Sequence, residues 1–308
     1  MSRRLSYILI SALVALPLPA LAADESPAGG VDIGGGRKMF MTCRGTGSPT
    51  VIVVAGAKAA ADDWTTGSPV FADVAKFTRI CAYDRPGTPL ADGSPSRSDP
   101  VPMPITAADA ASDLRALVTS AGIERPVMIV GHSFGGLIAR LYAMTYPADV
   151  NGMVLVDALS EGLRAAETKA EWANQKVILE GDLTEALRLY PEIERSDADA
   201  SFDQLLAAPP LRPMPLIVLS ADQAWGPLVA GFIAAGSLPA NTPPDIGYVT
   251  DRAQKSAQAG LAALVPGAKH VVDTRSGHEI HKDQPQLVTA SIREVVDAVR
   301  AGNTRAVR

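Results

Sequence analysis

The chain has 308 residues, 47% of them hydrophobic and 20% charged, the composition of a folded globular protein rather than a disordered or fibrous one. Its formal net charge of −5 comes without any basic run, so nucleic acid is excluded as an expected partner. The length suits one large α/β domain with a single hydrophobic core.

At the N-terminus Arg3 and Arg4 precede an apolar run from Tyr7 to Leu16, followed by Pro17, Pro19 and the small-residue site Ala20-Leu21-Ala22. A charged start, a short apolar run and an A-x-A site predict a secretory signal peptide over residues 1–22, cut before Ala23. The chain is then expected to be exported, to a periplasm or to the exterior. A retained N-terminal anchor is the alternative. The run is too short to cross a bilayer, and no other stretch approaches that length, so no stable membrane span is expected after cleavage. Residues 23–36, rich in Gly and Ala, read as a flexible lead-in.

Arg37 to Cys43 reads as a strand. Thr50 to Gly56 is a β-branched run ending in Gly, as suits a strand covered on both faces. Phe77 to Tyr83 is a further strand, closed by Asp84-Arg85-Pro86-Gly87, and residues 86–104 form a surface loop rich in Pro, Ser and Gly. Thr106 to Ala121 has helical spacing: Thr106 and Asp109 supply a cap, Ala110, Leu114, Leu117 and Val118 share a face, and Gly122 ends it. Then come a strand at Pro126–Val130, a helix at Gly131–Tyr146, and strands at Val150–Val156 and Pro215–Leu219. Tyr248–Leu264 reads as a helix, Lys269–Val272 as a last strand and Pro285–Arg300 as a closing helix. This alternation predicts an α/β fold, a mostly parallel sheet with helices on both faces. Residues 158–212 break the rhythm. They are charged and helix-rich, and read as a helical cap inserted between core segments 37–157 and 213–302.

The segment Gly131-His132-Ser133-Phe134-Gly135 lies between a predicted strand and a predicted helix. In that setting G-x-S-x-G is a sharp turn that projects the Ser133 hydroxyl above the sheet, with a helix N-terminus aimed at the same place. A serine hydroxyl needs a base. Of the four histidines, His132 adjoins the nucleophile inside the turn, and His270 sits in the last strand, where packing or surface exposure accounts for it. His278 and His281 lie in the loop just past that strand. His278, after Gly277, is the better base, with His281 second. The acid that holds the imidazole tautomer should end a parallel strand. Asp157 and Asp222 both do so, and both keep the order Ser, Asp, His along the chain.

The segments Cys81-Ala82-Tyr83-Asp84-Arg85-Pro86-Gly87, Gly131-His132-Ser133-Phe134-Gly135-Gly136, Val154-Leu155-Val156-Asp157 and Ser276-Gly277-His278 resemble the α/β-hydrolase superfamily, in its order. The likeness covers roughly residues 37 to 300; only the cap lacks a counterpart. It implies an eight-stranded sheet and an esterase- or lipase-like serine hydrolase. The superfamily usually places its acid after the strand that follows the cap, which points to Asp222. Some members place it after the strand before the cap, which points to Asp157. The segment Leu219-Ser220-Ala221-Asp222 lacks the usual Gly before the acid, so Asp157 is preferred and Asp222 kept as the alternative. The oxyanion donors implied are the Phe134 amide and, from Ala55-Gly56-Ala57-Lys58, the Ala57 amide. Relatives often carry His-Gly in that loop, and its loss here leaves a backbone donor intact while changing how the loop is braced.

In the superfamily the strands holding Cys43 and Cys81 are neighbours, so export makes a Cys43–Cys81 disulfide the expectation, with two buried thiols as the alternative. Asp84 and Arg85 read as a structural ion pair or turn cap rather than substrate binders. Trp64, Trp172 and Trp225 either line a substrate pocket or pack in the core. No histidine or cysteine pair has zinc-site spacing, and neither a metal nor a cofactor is expected. The function expected is hydrolysis of a small-molecule carboxylic ester through an acyl-enzyme. Amide cleavage of the prolyl-aminopeptidase kind, carbon–carbon bond hydrolysis, cofactor-free perhydrolase chemistry and a non-catalytic ligand-binding homologue are the alternatives. Epoxide hydrolases and haloalkane dehalogenases carry Asp where this chain has Ser133.

Overall fold

A computed structural model of the chain describes residues 26–303 apart from Asp182 and Ser237. The signal peptide expected over residues 1–22 lies outside the described residues. In chain order the elements are strands β1 (Ser26–Gly34), β2 (Arg37–Arg44) and β3 (Val51–Val54), short helices α1 (Asp62–Thr65) and α2 (Val70–Val74), and β4 (Ile80–Tyr83). Helix α3 (Ala107–Ser120), β5 (Val127–His132), α4 (Phe134–Thr145) and β6 (Val150–Val156) follow. Four helices then lie between strands: α5 (Glu161–Ala165), α6 (Lys169–Glu180), α7 (Thr184–Leu189) and α8 (Ala198–Ala207). After β7 (Leu216–Leu219) come α9 (Val229–Ala234), α10 (Ile246–Ala262), β8 (Lys269–Val271), α11 (Ile280–Asp283) and α12 (Pro285–Arg300).

The strands form one eight-stranded sheet in the order β1-β2-β4-β3-β5-β6-β7-β8. The pairs β1–β2 and β2–β4 are antiparallel and all later pairs parallel. The pleat divides each central strand between two apolar layers. Ile52 and Val54 join Leu114 and Leu117 of α3 and Leu137 of α4 on one face. Val51 and Val53 join Val70 of α2 and Val288, Ile292 and Val295 of α12 on the other. Burial on both faces explains why β3, β4 and β7 read as continuous apolar runs instead of alternating ones. Helix α3 starts as its sequence implies: Thr106 and Asp109 form a reciprocal capping box.

The start of the described chain is a strand where none is expected. Residues 23–36 were expected as a flexible lead-in, yet Ser26–Gly34 pairs with β2 as edge strand β1, from Ser26↔Cys43 to Gly34↔Arg37. Backbone pairing to β2 orders this Gly-rich segment, and it needs no apolar alternation to do so. Cys43 stands opposite Cys81 in the antiparallel β2–β4 pair, and the two form a disulfide. The 38-residue separation it closes constrains the unfolded chain by about 4 kcal/mol in the chain-entropy account.

Helices α5–α8 fall within the segment expected as a cap. They do not stand alone, because Val229, Ile246 and Val249 from beyond β7 form a small apolar cluster with Ile178 of α6 and Trp225. No described helix is long and apolar enough to cross a membrane.

Candidate active site

The turn between β5 and α4 is held by close backbone packing. A Cβ on Gly135 would collide with the carbonyl oxygens of Val54 and Ala55, so only glycine lets α4 begin against β3. Ser133, at the corner, is forced to φ 51° and ψ −124°. Its amide donates to Val156 O at 3.3 Å, and its carbonyl accepts from Gly136 and Leu159, both at 2.9 Å. Helix α4 is almost wholly buried, and its N-terminus, with its partial positive charge, opens at the Ser133 corner.

Four described residues other than glycine have positive φ: Lys58, Ser133, Asp157 and Arg275. They sit beyond the carboxyl ends of β3, β5, β6 and β8, on the edge of the sheet where α/β proteins place their ligands. Backbone strain concentrated on one edge of a fold is what an over-determined functional site looks like.

His278 lies in the loop between β8 and α11. Its Nδ1 is 2.6 Å from Asp157 Oδ2. Asp157 is buried, and its other oxygen accepts from the Ala221 amide at 3.1 Å and from Gln254 Nε2 of α10 at 3.4 Å. Desolvation by the groups packed around it lowers the affinity of the half-exposed His278 ring for a proton, but the bond and charge of Asp157, aided by Glu279, outweigh it, and the pKa lies above the ordinary 6.5. The ring lies beside the serine turn, its centroid 4.7 Å from that of His132. Among the described residues the Ser133 hydroxyl makes no hydrogen bond, to His278 or to any other group. Such contacts commonly tighten only when substrate is bound.

Asp222 is engaged elsewhere. Its Oδ1 accepts from the Ser276 amide at 2.9 Å and from Thr274 Oγ1 at 3.4 Å, and its own amide donates to Ser276 O. Partial loss of hydration favours its protonated form, yet its bonds to backbone amides prevail and hold its pKa below the ordinary carboxylate value. It thus organises the loop that carries His278 without touching the ring.

The remaining histidines differ sharply. His132 Nε2 lies 3.1 Å from the His278 carbonyl, to which it can only donate, so Nε2 carries a proton. Burial, then the nearby His278 and His281, push its pKa well down. His281 is buried in α11, stacked on Trp64 with ring centroids 4.3 Å apart, and its Nε2 is 3.0 Å from Asp63 Oδ2. His270 bonds Ser220 Oγ through Nε2 at 2.8 Å. Trp64 and Trp172 are buried, Trp64 stacked on His281 and Trp172 against Phe202 and Asp199.

One ligand atom each from Asp63, His132, Glu279 and His281 lies within 4.8 Å of the others. The donor types would suit zinc. The Lys282 ammonium, however, already contacts Asp63 at 2.5 Å and Glu279 at 3.2 Å, and the two Nε2 atoms are bonded to His278 O and Asp63. The negative charge there is met from within the chain.

Several of these contacts escape sequence reasoning. Gln254 reaches Asp157 from 97 residues away, and Glu194 reaches Arg85 from 109. Neither carries a local signal, since a lone Gln or Glu on a helical stretch reads as solvated surface. Asp84 is bidentate with Arg97, at 2.7 and 2.8 Å, and accepts from the Ala61 amide, a wholly structural set of partners.

The sheet topology and the strained serine turn define the class. The chain belongs to the alpha/beta hydrolase family, whose model matches residues 47–291. It is similar to protein YqjL of Bacillus subtilis (strain 168), 23% identical over 256 residues that cover 82% of this chain and 85% of that one. Among solved structures it resembles a thermophilic esterase from Thermogutta terrifontis, with TM-score 0.53 and 18% identity over 91% of this chain and 100% of that one. A meta-cleavage product hydrolase from Pseudomonas fluorescens IP01 gives TM-score 0.53 and 20% identity over 89% and 98%. At these identities the structural likeness speaks to fold alone.

Proposed function

We propose that this hydrolase-family member cleaves carboxylic esters by acyl transfer through Ser133, His278 and Asp157. The observation that carries the reading is the 2.6 Å contact of His278 Nδ1 with Asp157 Oδ2, beside a serine at positive φ on a helix N-terminus. Asp157 fixes Nδ1 as the protonated nitrogen and leaves Nε2 as the base. Nε2 takes the Ser133 proton as Oγ bonds to the ester carbonyl carbon, and the Ala57 and Phe134 amides hold the oxyanion. His278 returns the proton to the departing alcohol. It then takes a proton from water, hydroxide adds to the acyl carbon, and Ser133 leaves reprotonated as the carboxylic acid departs. Helices α5–α8 serve as the cap that shapes the substrate site.

The test uses mature protein, an aryl-ester panel of increasing acyl length and amino-acid arylamides. Ser133→Ala should lower ester kcat by on the order of 10⁴-fold or more and abolish labelling by a fluorophosphonate. Near-normal turnover by that variant would sink the assignment. Turnover of arylamides alone would keep the nucleophile but replace ester with amide as the substrate class.

Export is part of the same reading. It is supported by the Cys43–Cys81 disulfide and by the charged and apolar N-terminal run ending at Ala22. Mass spectrometry of protein recovered outside the cytoplasm should find Ala23 first; retention of Met1 there would refute the cleavage.

A further inference from the structure

Arg85 and Glu194 form an ion pair whose side chains are 2% and 1% exposed. Removing two charges from water is costly, and apolar side chains would fill the same space with less penalty. What only charged, forked groups supply is a set of directed hydrogen bonds. Arg85 Nε and Nη2 bond the two Glu194 oxygens at 2.6 and 3.0 Å. Its Nη1 bonds Ala55 O at 2.8 Å and its Nη2 bonds Gly56 O at 2.5 Å. Glu194 Oε2 accepts in turn from the Lys58 amide at 2.6 Å.

These partners flank Ala57 on both sides. The Gly56 carbonyl and the Ala57 amide belong to one planar trans peptide, so they point in opposite directions. Pinning Gly56 O therefore aims the Ala57 N–H. The next peptide plane, which carries the Lys58 amide, is pinned by Glu194. The guanidinium also lies 5.8 Å from the ring centroid of Phe134, the residue assigned the second oxyanion donor. We propose that the Arg85–Glu194 pair is the positioning device of the oxyanion hole, with Glu194 supplied by the inserted helical segment.

Local architecture supports a built connection. Glu194 lies between α7 and α8, and its amide donates to Gly87 O at 2.8 Å. Gly87 has φ 78°, and a Cβ there would collide with the backbone of Glu192 and Glu194. Nearby, Ile105 N bonds Arg195 O and Asp197 N bonds Ile105 O, each at 2.9 Å. The glycine of Tyr83-Asp84-Arg85-Pro86-Gly87 thus lets the insertion approach closely enough for its carboxylate to meet Arg85.

The inference rests on the ester-hydrolase reading, so the experiment reads the two separately. Wild type, Glu194→Gln, Arg85→Lys and the control Lys76→Gln, which breaks an exposed pair with Asp73 far along the chain from the cap, are compared as mature proteins. Measurements are aryl-ester kcat and KM, the pH midpoint of kcat/KM, and Ki for an aryl trifluoromethyl ketone, whose adduct places an oxyanion in the hole. Glu194→Gln and Arg85→Lys should each lower kcat by about 10- to 100-fold and weaken the ketone by a similar factor. KM should change less than threefold and the pH midpoint should stay, since His278 is untouched. Lys76→Gln should match wild type. A Glu194→Gln protein with native circular dichroism and undiminished kcat and ketone affinity overturns the proposal. So does a loss of kcat with ketone affinity unchanged, which would mark a merely structural role. Should Arg85→Lys fail to fold, the near-isosteric Glu194→Gln decides alone. Absence of Ser133-dependent turnover in wild type would instead fell the parent reading.

Discussion

Asp157 and Asp222 occupy equivalent stations, each just past the carboxyl end of neighbouring parallel strands, β6 and β7. Their surroundings set them apart. Asp157 is buried, has φ 39°, and gives one oxygen to His278 Nδ1. Asp222 is exposed and spends its oxygen on the Ser276 amide, two residues before that histidine. One carboxylate addresses the imidazole and the other addresses the backbone that carries it. The comparison teaches that a strand-end position admits a residue to the site, while the destination of its hydrogen bonds decides what it does there.

The largest test of this division is Asp157→Asn. An amide keeps the shape but presents a donor to Nδ1, favours the wrong tautomer and cannot stabilise the imidazolium. Ester kcat should fall on the order of 10³- to 10⁴-fold. A loss below tenfold would break the comparison and return the acid role to Asp222. For Asp222→Ala the expected change is smaller, about 10-fold in kcat, through loosening of the 274–278 loop and imprecise placement of the ring. If Asp222→Ala instead matched Asp157→Asn, the two carboxylates would have to act as one unit.

The pH dependence sharpens the same contrast. His278 must be neutral to act as base, so kcat/KM should fall as pH drops through its pKa. Asp157 holds that pKa above 6.5, which sets the wild-type midpoint above that value. Asp157→Asn removes the main raising influence and leaves Glu279 against the desolvation of the half-exposed ring, so any residual activity should have its midpoint at lower pH. Asp222→Ala should leave the midpoint where it is. A profile of wild-type kcat/KM that stays flat across the histidine range would count against His278 as base.

Much of the scaffold was legible because it rests on local rules. The β-branched run at Val51–Val54, the capping box at Thr106 and Asp109, and the glycine-bounded turn at Ser133 each announce themselves within a few residues. Edge strand β1 did not, because its pairing to β2 is made by backbone and leaves no apolar alternation in Gly29-Gly30-Val31-Asp32. Residue order and strand-end position admit both Asp157 and Asp222, and the missing glycine before Asp222 favours Asp157, but the choice turns on where side chains point in loops more than 50 residues apart. Glu194 was invisible for the same reason: nothing near it in the chain records that Arg85 lies buried and unneutralised without it.

Gln254 gives the finest probe of the Asp157 environment. Its Nε2 reaches Asp157 Oδ1 at 3.4 Å, a long contact, while the Ala221 amide holds the same oxygen at 3.1 Å. Removing one of two donors to an ionised oxygen should cost little, because the backbone donor remains and half-buried Gln254 leaves room for water. Gln254→Leu should therefore lower kcat no more than about threefold, with a slight upward drift of the pH midpoint, since Asp157 then shares its charge with one donor fewer. A drop of 100-fold would show that α10, rather than the β7 loop, fixes the carboxylate, and the contrast between the two strand ends would have to be redrawn around that helix.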